Sequence, residues 1–154
     1  NRLRKRVPSA KPVATGFIEG YQMKCHKKCI DGSGKGTILK SESEEIVWGV
    51  IYDIDQTEKN LLDKAEGLNA GYNETFIEVK NGNASYNAQI YVADPDYLEP
   101  SLKAYHWYKA FILQGALENA LPQNYINVLN KLPSISDPDP RRLKFNTSIL
   151  NGAF

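Results

Sequence analysis

The chain has 154 residues, 42% hydrophobic and 24% charged, with a formal net charge of +1. That length suits one domain able to bury about 68–70% of its unfolded surface without disulfide or metal staples. Near-neutral charge argues against a general polyanion binder, and no apolar run reaches the length of a membrane span.

Two cysteines, Cys25 and Cys29, fall in one expected strand, on one face but too far apart along it for an easy bridge. Reduced thiols and a cytoplasmic location are therefore expected. The only methionine is Met23, so Asn1 is not a native initiation site, and the sequence is expected to be a processed chain or part of something longer. Sequons at Asn73, Asn83 and Asn146 are of the kind that arises by chance, and glycosylation is not expected.

In chain order, Arg2 to Arg6 reads as a helix end halted by Pro8. Its basic residues lack the interleaved aromatics of a single-strand binder, so a solvated helix face is expected rather than a nucleic-acid patch. Residues 12–18 and 21–30 read as strands. Cys25, His26 and Cys29 offer three metal-ligand types on one strand with no second cluster, which disfavours a metal site. The run Asp31-Gly32-Ser33-Gly34-Lys35-Gly36-Thr37 fails the phosphate-loop pattern, because Gly36 stands where a Ser or Thr should bind the metal. A flexible connection is expected there, then a short strand from Thr37 to Lys40.

Ile46 to Tyr52 is apolar on both faces, the pattern of a central strand covered on each side. Gly49 within it would let a ligand or a second backbone approach. Asp55 and Glu58 form a capping-box pattern that opens a helix carrying Leu61, Leu62, Ala65 and Glu66, with Gly67 as its stop. Glu66 shares the stripe of Leu62 and Ala65 in the last turn. Burial and the negative end of the helix dipole would both disfavour its ionised form, bringing it toward the range useful for proton transfer; a snorkelling surface acid is the bland alternative. Next come two alternating strands, 75–80 and 84–93, joined by Asn81-Gly82-Asn83. A long helix is expected from Ser101 to Ala120, with Gly115 and Ala116 allowing close packing, and a short one from Pro122 to Leu129. One domain is expected over residues 1–132, followed by an extended C-terminal tail, 133–154, pinned by Leu143, Phe145 and Leu150.

The order of these motifs resembles the gamma-glutamyl cyclotransferase family. The pieces are Arg6 to Ala10 (RVPSA), Val47-Trp48-Gly49-Val50, Leu62-Asp63-Lys64-Ala65-Glu66-Gly67, Tyr72, Pro100-Ser101 to Tyr105, Ile112-Leu113-Gln114-Gly115-Ala116 and Leu121-Pro122-Gln123-Asn124-Tyr125. The resemblance spans residues 6–125 and implies an α+β fold: a mixed, curved, barrel-like sheet with flanking helices, the Glu66 helix at one opening and the long helix outside. It further implies cyclisation of a γ-glutamyl group to 5-oxoproline with release of an amine or amino acid, without cofactor or metal. Glu66 would be the catalytic proton shuttle, and Tyr72, Tyr91, Tyr105 and Gly49 would surround a small-molecule substrate. Neither nucleic acid nor membrane is an expected partner; a homodimer is compatible with the reading. The family opens with a strand ending in Tyr-Gly-Ser-Asn, whose loop holds substrate and stabilises the oxyanion, and by alignment on Pro8-Ser9-Ala10 it falls just upstream of Asn1. The alternative is a non-catalytic binding or regulatory protein on the same fold.

Overall fold

Residues 2–152 are described by the computed structural model. The basic opening forms a single short helix, α1 (Arg2–Arg6), ended before Pro8. Behind it Val7 is completely buried, while the Ser9 backbone N–H and hydroxyl both donate to the Glu58 carboxylate, at 3.0 and 2.6 Å. An apolar anchor and two charge-assisted bonds thus fix the corner from which the first strand leaves.

That strand, β1 (Lys11–Glu19), runs antiparallel to β4 (Ile46–Asp53), with Gly16 opposite Gly49, and touches β5 (Tyr72–Asn81) at Phe17 and Lys80. The close approach needs a glycine: a Cβ on Gly16 would sit 2.6 Å from Val79 Cγ1 and 2.7 Å from the Lys80 carbonyl oxygen. β5 and β6 (Ala84–Ala93) form the expected hairpin, with Asn81 paired to Ala84 and Gly82 at φ +54° in the turn. The sheet order is β4-β1-β5-β6. Among the described residues β4 pairs only with β1, and β6 only with β5. The sequence pattern predicts a central strand at Ile46–Tyr52; β4 is instead an edge strand whose second side faces a cavity, so its two-faced apolarity is met by packing and by an open hollow, not by a neighbouring strand.

A second antiparallel pair, β2 (Tyr21–Lys28) and β3 (Gly34–Lys40), carries a register shift between Lys24 and Lys27. β3 begins three residues earlier than expected, absorbing Gly34-Lys35-Gly36 that had read as a loop. Lys35 is occupied: its ammonium donates to Asp31 and Ser33 and lies 4.9 Å from the ring centres of both Trp107 and Tyr108.

The helical layer departs most from expectation. Ser101 to Tyr105 is not helical; Ala104 and Tyr105 form β7, parallel to β8 (Ser134–Ile135), and α3 spans His106–Glu118. Ala116 is buried, but a Cβ on Gly115 would meet nothing within 4 Å, so only Ala116 marks close packing. α4 (Gln123–Asn130) starts after Pro122 as predicted. The expected extended tail contains α5 (Pro140–Leu150), opened by Asp139, whose side chain accepts from the backbone N–H groups of Arg141 and Arg142. Its expected pins differ: Leu143 and Phe145 are exposed. The core lies between β2–β4 and α3–α4, around Cys25, Ala104, Ala116, Leu121, Tyr125 and Leu129. No helix among the described residues is long and apolar enough to cross a membrane.

Candidate functional site

A cavity of about 850 Å³ is lined by consecutive residues of both outer strands of the sheet, β4 and β6, and by Gly16, Ile18, Ile77 and Val79 of the strands between them. Val47 to Tyr52 form one wall, Ser85 to Tyr91 the other; Gly36 and Ile38 of β3, with Tyr108, lie across it. Its lining is mostly apolar, the usual character of a small-molecule pocket into which a few polar groups converge.

Glu66 is one of those groups. It ends α2 (Lys59–Glu66), and Gly67 follows at φ +75°, donating its N–H to the Asp63 carbonyl. The left-handed stop is the one the sequence predicts. The start of the helix is not. Asp55 caps a 3-10 turn by accepting from Thr57 N–H, and Glu58 is drawn away to Ser9, so the capping box does not close. Nor does α2 bury a stripe: Ala65 is exposed and Glu66 keeps 32% of its side-chain surface. Rather than a solitary desolvated acid, Glu66 is ion-paired, its Oε1 accepting from Arg6 Nη1 at 3.0 Å. Among the described residues Oε2 has no hydrogen-bond partner.

Tyr72 and Tyr91 line the cavity. The Tyr72 hydroxyl donates to the Gly36 carbonyl at 2.8 Å, while Gly36 N–H donates to the Tyr108 hydroxyl at 3.0 Å, so one glycine peptide fixes two rings. Burial pushes the Tyr72 phenol well above its ordinary value, and that of Tyr91 up to about 12, the latter aided by its bond to the Asp63 carboxylate. Both therefore stay neutral near pH 7. Asp63 also receives Lys59, which donates to Glu74 as well, tying the α2 face to the β5–β6 hairpin. Gly49 opens directly on the cavity, with nothing within 4 Å of an added Cβ. Tyr105 does not line it: the ring is 3% exposed and its hydroxyl donates to the Asp31 carbonyl at 2.7 Å, which makes it a packing residue between β7 and the Asp31 turn.

Other reactive groups lie elsewhere. Desolvation pushes the Cys25 thiol up to about 11, so it is no ready nucleophile, and it lines a smaller hollow of about 550 Å³ between β2 and α4. Among the described residues no group of three or more His, Cys, Asp or Glu side chains could hold a metal ion.

Residues 46–129, which carry β4, α2, the β5–β6 hairpin and the core helices α3 and α4, match the family model described as AIG2-like. The chain belongs to the AIG2-like family. Curated relatives named gamma-glutamylcyclotransferase include the bovine protein, 30% identical over 102 residues, and the human one, 35% identical over 100 residues. These matches take in 64% and 60% of this chain, and the chain spans about half the length of those relatives, 52% and 48%. In overall shape this AIG2-like chain superposes on a crystal structure of an uncharacterized human protein with a TM-score of 0.84 at 23% identity, covering 97% of this chain and 90% of that one. A solved structure titled gamma-glutamyl cyclotransferase gives the same TM-score at 22% identity, covering 98% and 90%. The α+β fold with a curled sheet is thus the fold of those proteins.

The residue that sequence reasoning missed in this AIG2-like site is Arg6. It had been set aside with Arg4 and Lys5 as a solvated helix face. Its pairing spans sixty positions, which no local pattern reveals; the only trace is its place at the head of the RVPSA motif.

Proposed function

We propose that the protein is a gamma-glutamyl cyclotransferase, turning a γ-glutamyl amide into 5-oxoproline and a free amine or amino acid. The observation that carries this reading is a carboxylate, Glu66, set at the edge of a mostly apolar cavity, with no hydrogen bond to Oε2 among the described residues. Such a group takes a proton from the substrate α-ammonium. The freed amine attacks the γ-carbonyl carbon, forming the ring C–N bond, and the amide C–N bond breaks as Glu66 returns a proton to the leaving nitrogen. Because ring closure is intramolecular, holding the chain folded does much of the work, and no side-chain nucleophile is needed. Tyr72 and Tyr91, neutral and fixed by Gly36 and Asp63, shape the walls, and Gly49 leaves room for the substrate beside β4.

Glu66→Gln should abolish 5-oxoproline release from a panel of γ-glutamyl compounds while leaving the melting curve unchanged; an active Gln variant would reject Glu66 as the proton shuttle. The same reading gives the unpaired edges of β4 and β6, which line the cavity, a role. A strand laid between them would present backbone N–H groups to the developing oxyanion, each worth about 2.7–4 kcal/mol in the transition state. A form of the protein extended at its N-terminus by such a strand and its loop should therefore turn over at least about 100-fold faster than residues 1–154 alone. Equal rates would count against that role.

A further inference from the structure

We propose that Arg6 and Glu66 act together as a clamp for the head of an α-amino acid, Arg6 taking the α-carboxylate and Glu66 the α-ammonium of the γ-glutamyl group. The inference rests on the cyclotransferase reading of the cavity and deepens it by naming the side chain that selects for the α-carboxylate which 5-oxoproline retains.

Three observations carry it. Leu3 lines the cavity, and Arg6, three residues on, lies on the same face of α1, so the guanidinium stands at the rim rather than on the outer surface. Its hold on Glu66 uses Nη1 alone, and among the described residues Nε and Nη2 make no hydrogen bond. That leaves the planar fork that suits a carboxylate, with the nearest protein carboxylate engaged through one oxygen only. Finally, the backbone directly after Arg6 is fixed, by buried Val7 and by the Ser9–Glu58 bonds, so the side chain springs from a rigid corner.

Arg6 and Glu66 are 38% and 32% exposed, and a pair so open to water is held together weakly. An amino-acid head carries the matching opposite charges on a single carbon. Inserted between the two side chains, it exchanges one ion pair for two. Glu66 Oε1 then loses its guanidinium partner and both carboxylate oxygens become available to the ammonium, so binding of the correct head group prepares the proton acceptor. A substrate without the α-carboxylate leaves Arg6 on Glu66.

The test compares γ-glutamyl-alanine with 4-aminobutanoyl-alanine, which keeps the same amide and attacking amine but lacks the α-carboxylate and closes to 2-pyrrolidone. Wild type should prefer the first by roughly 10- to 100-fold in kcat/KM, mostly through KM. Arg6→Ala should lose that preference, and Arg6→Lys should restore part of it. If Arg6→Ala keeps the preference, or lowers both rates alike, the clamp is wrong and Arg6 only positions Glu66. Ring release from neither compound, by wild type or by the N-terminally extended form, would overturn the cyclotransferase reading instead. In that case calorimetric binding of L-glutamine against 4-aminobutanamide decides the clamp: tighter binding of glutamine that Arg6→Ala removes supports it, and equal or absent binding overturns it.

Discussion

The Asp137 carboxylate has no exposed side-chain surface and is gripped by Trp107 Nε1 at 2.8 Å and by Nε and Nη2 of Arg142 at 2.6 Å. Those bonds, from Arg142 above all, hold its carboxyl down at about 2. A depressed folded-state value means a contribution fully present above the unfolded value of about 3.9 and lost as the pH falls toward 2. Asp137→Asn should cost roughly 1.5–3 kcal/mol at neutral pH. The gap between the urea midpoints of wild type and variant should then close between about pH 4 and 2, and a constant gap would place the effect elsewhere. At this scale the sequence was informative where chemistry was local. Glu66 before Gly67 could be read as a helix-end acid because both signals lie within one turn. Arg6 could not, since its partner is distant, and Tyr105 was misplaced because a buried tyrosine in a core and one in a pocket share the same sequence pattern.

Among elements, β3 shows why strand beginnings rich in glycine mislead. Gly34 looks like loop, yet a Cβ there would lie 1.9 Å from the Cys25 carbonyl oxygen, so its missing side chain is what lets β3 close on the shifted stretch of β2. Gly34→Ala should destabilise by about 3 kcal/mol or more, the upper reach of overpacking penalties, because the obstruction is backbone that cannot rotate aside. Thermal melting tests this; a loss below 1 kcal/mol would show that β2 can yield. Periodic segments such as the β5–β6 hairpin and α4 were readable from alternation and turn chemistry. The start of α3 was not, because Ala104 and Tyr105 are drawn into parallel pairing with β8, thirty residues later. The capping box at Asp55 failed for a similar reason, since Ser9 competes for Glu58. Asp139 and Pro140 did carry a legible helix-start signal for α5, masked by the Pro-rich composition around it.

For the molecule as a whole, the last helix behaves as a clasp. α5 brings Arg142 to Asp137, which in turn holds Trp107 of α3. Removing residues 139–154 would leave that buried carboxylate without its guanidinium, at a cost of about 3–5 kcal/mol. Against a typical stability of roughly 5–15 kcal/mol, the shortened chain should melt well below the intact one, if it folds cooperatively at all. An unchanged transition would make the segment an appendage. The chain's two tryptophans also divide the labour of observation between them. Trp48 forms part of the cavity wall, its ring centre 5.0 Å from that of Phe17 in a tilted contact, whereas Trp107 sits 6% exposed against the Asp137 clasp. Their indole emission therefore constitutes two native optical channels. Trp48 reports a guest arriving beside β4 and Trp107 the release of α5, so replacing either by Phe isolates the other's signal without a foreign dye.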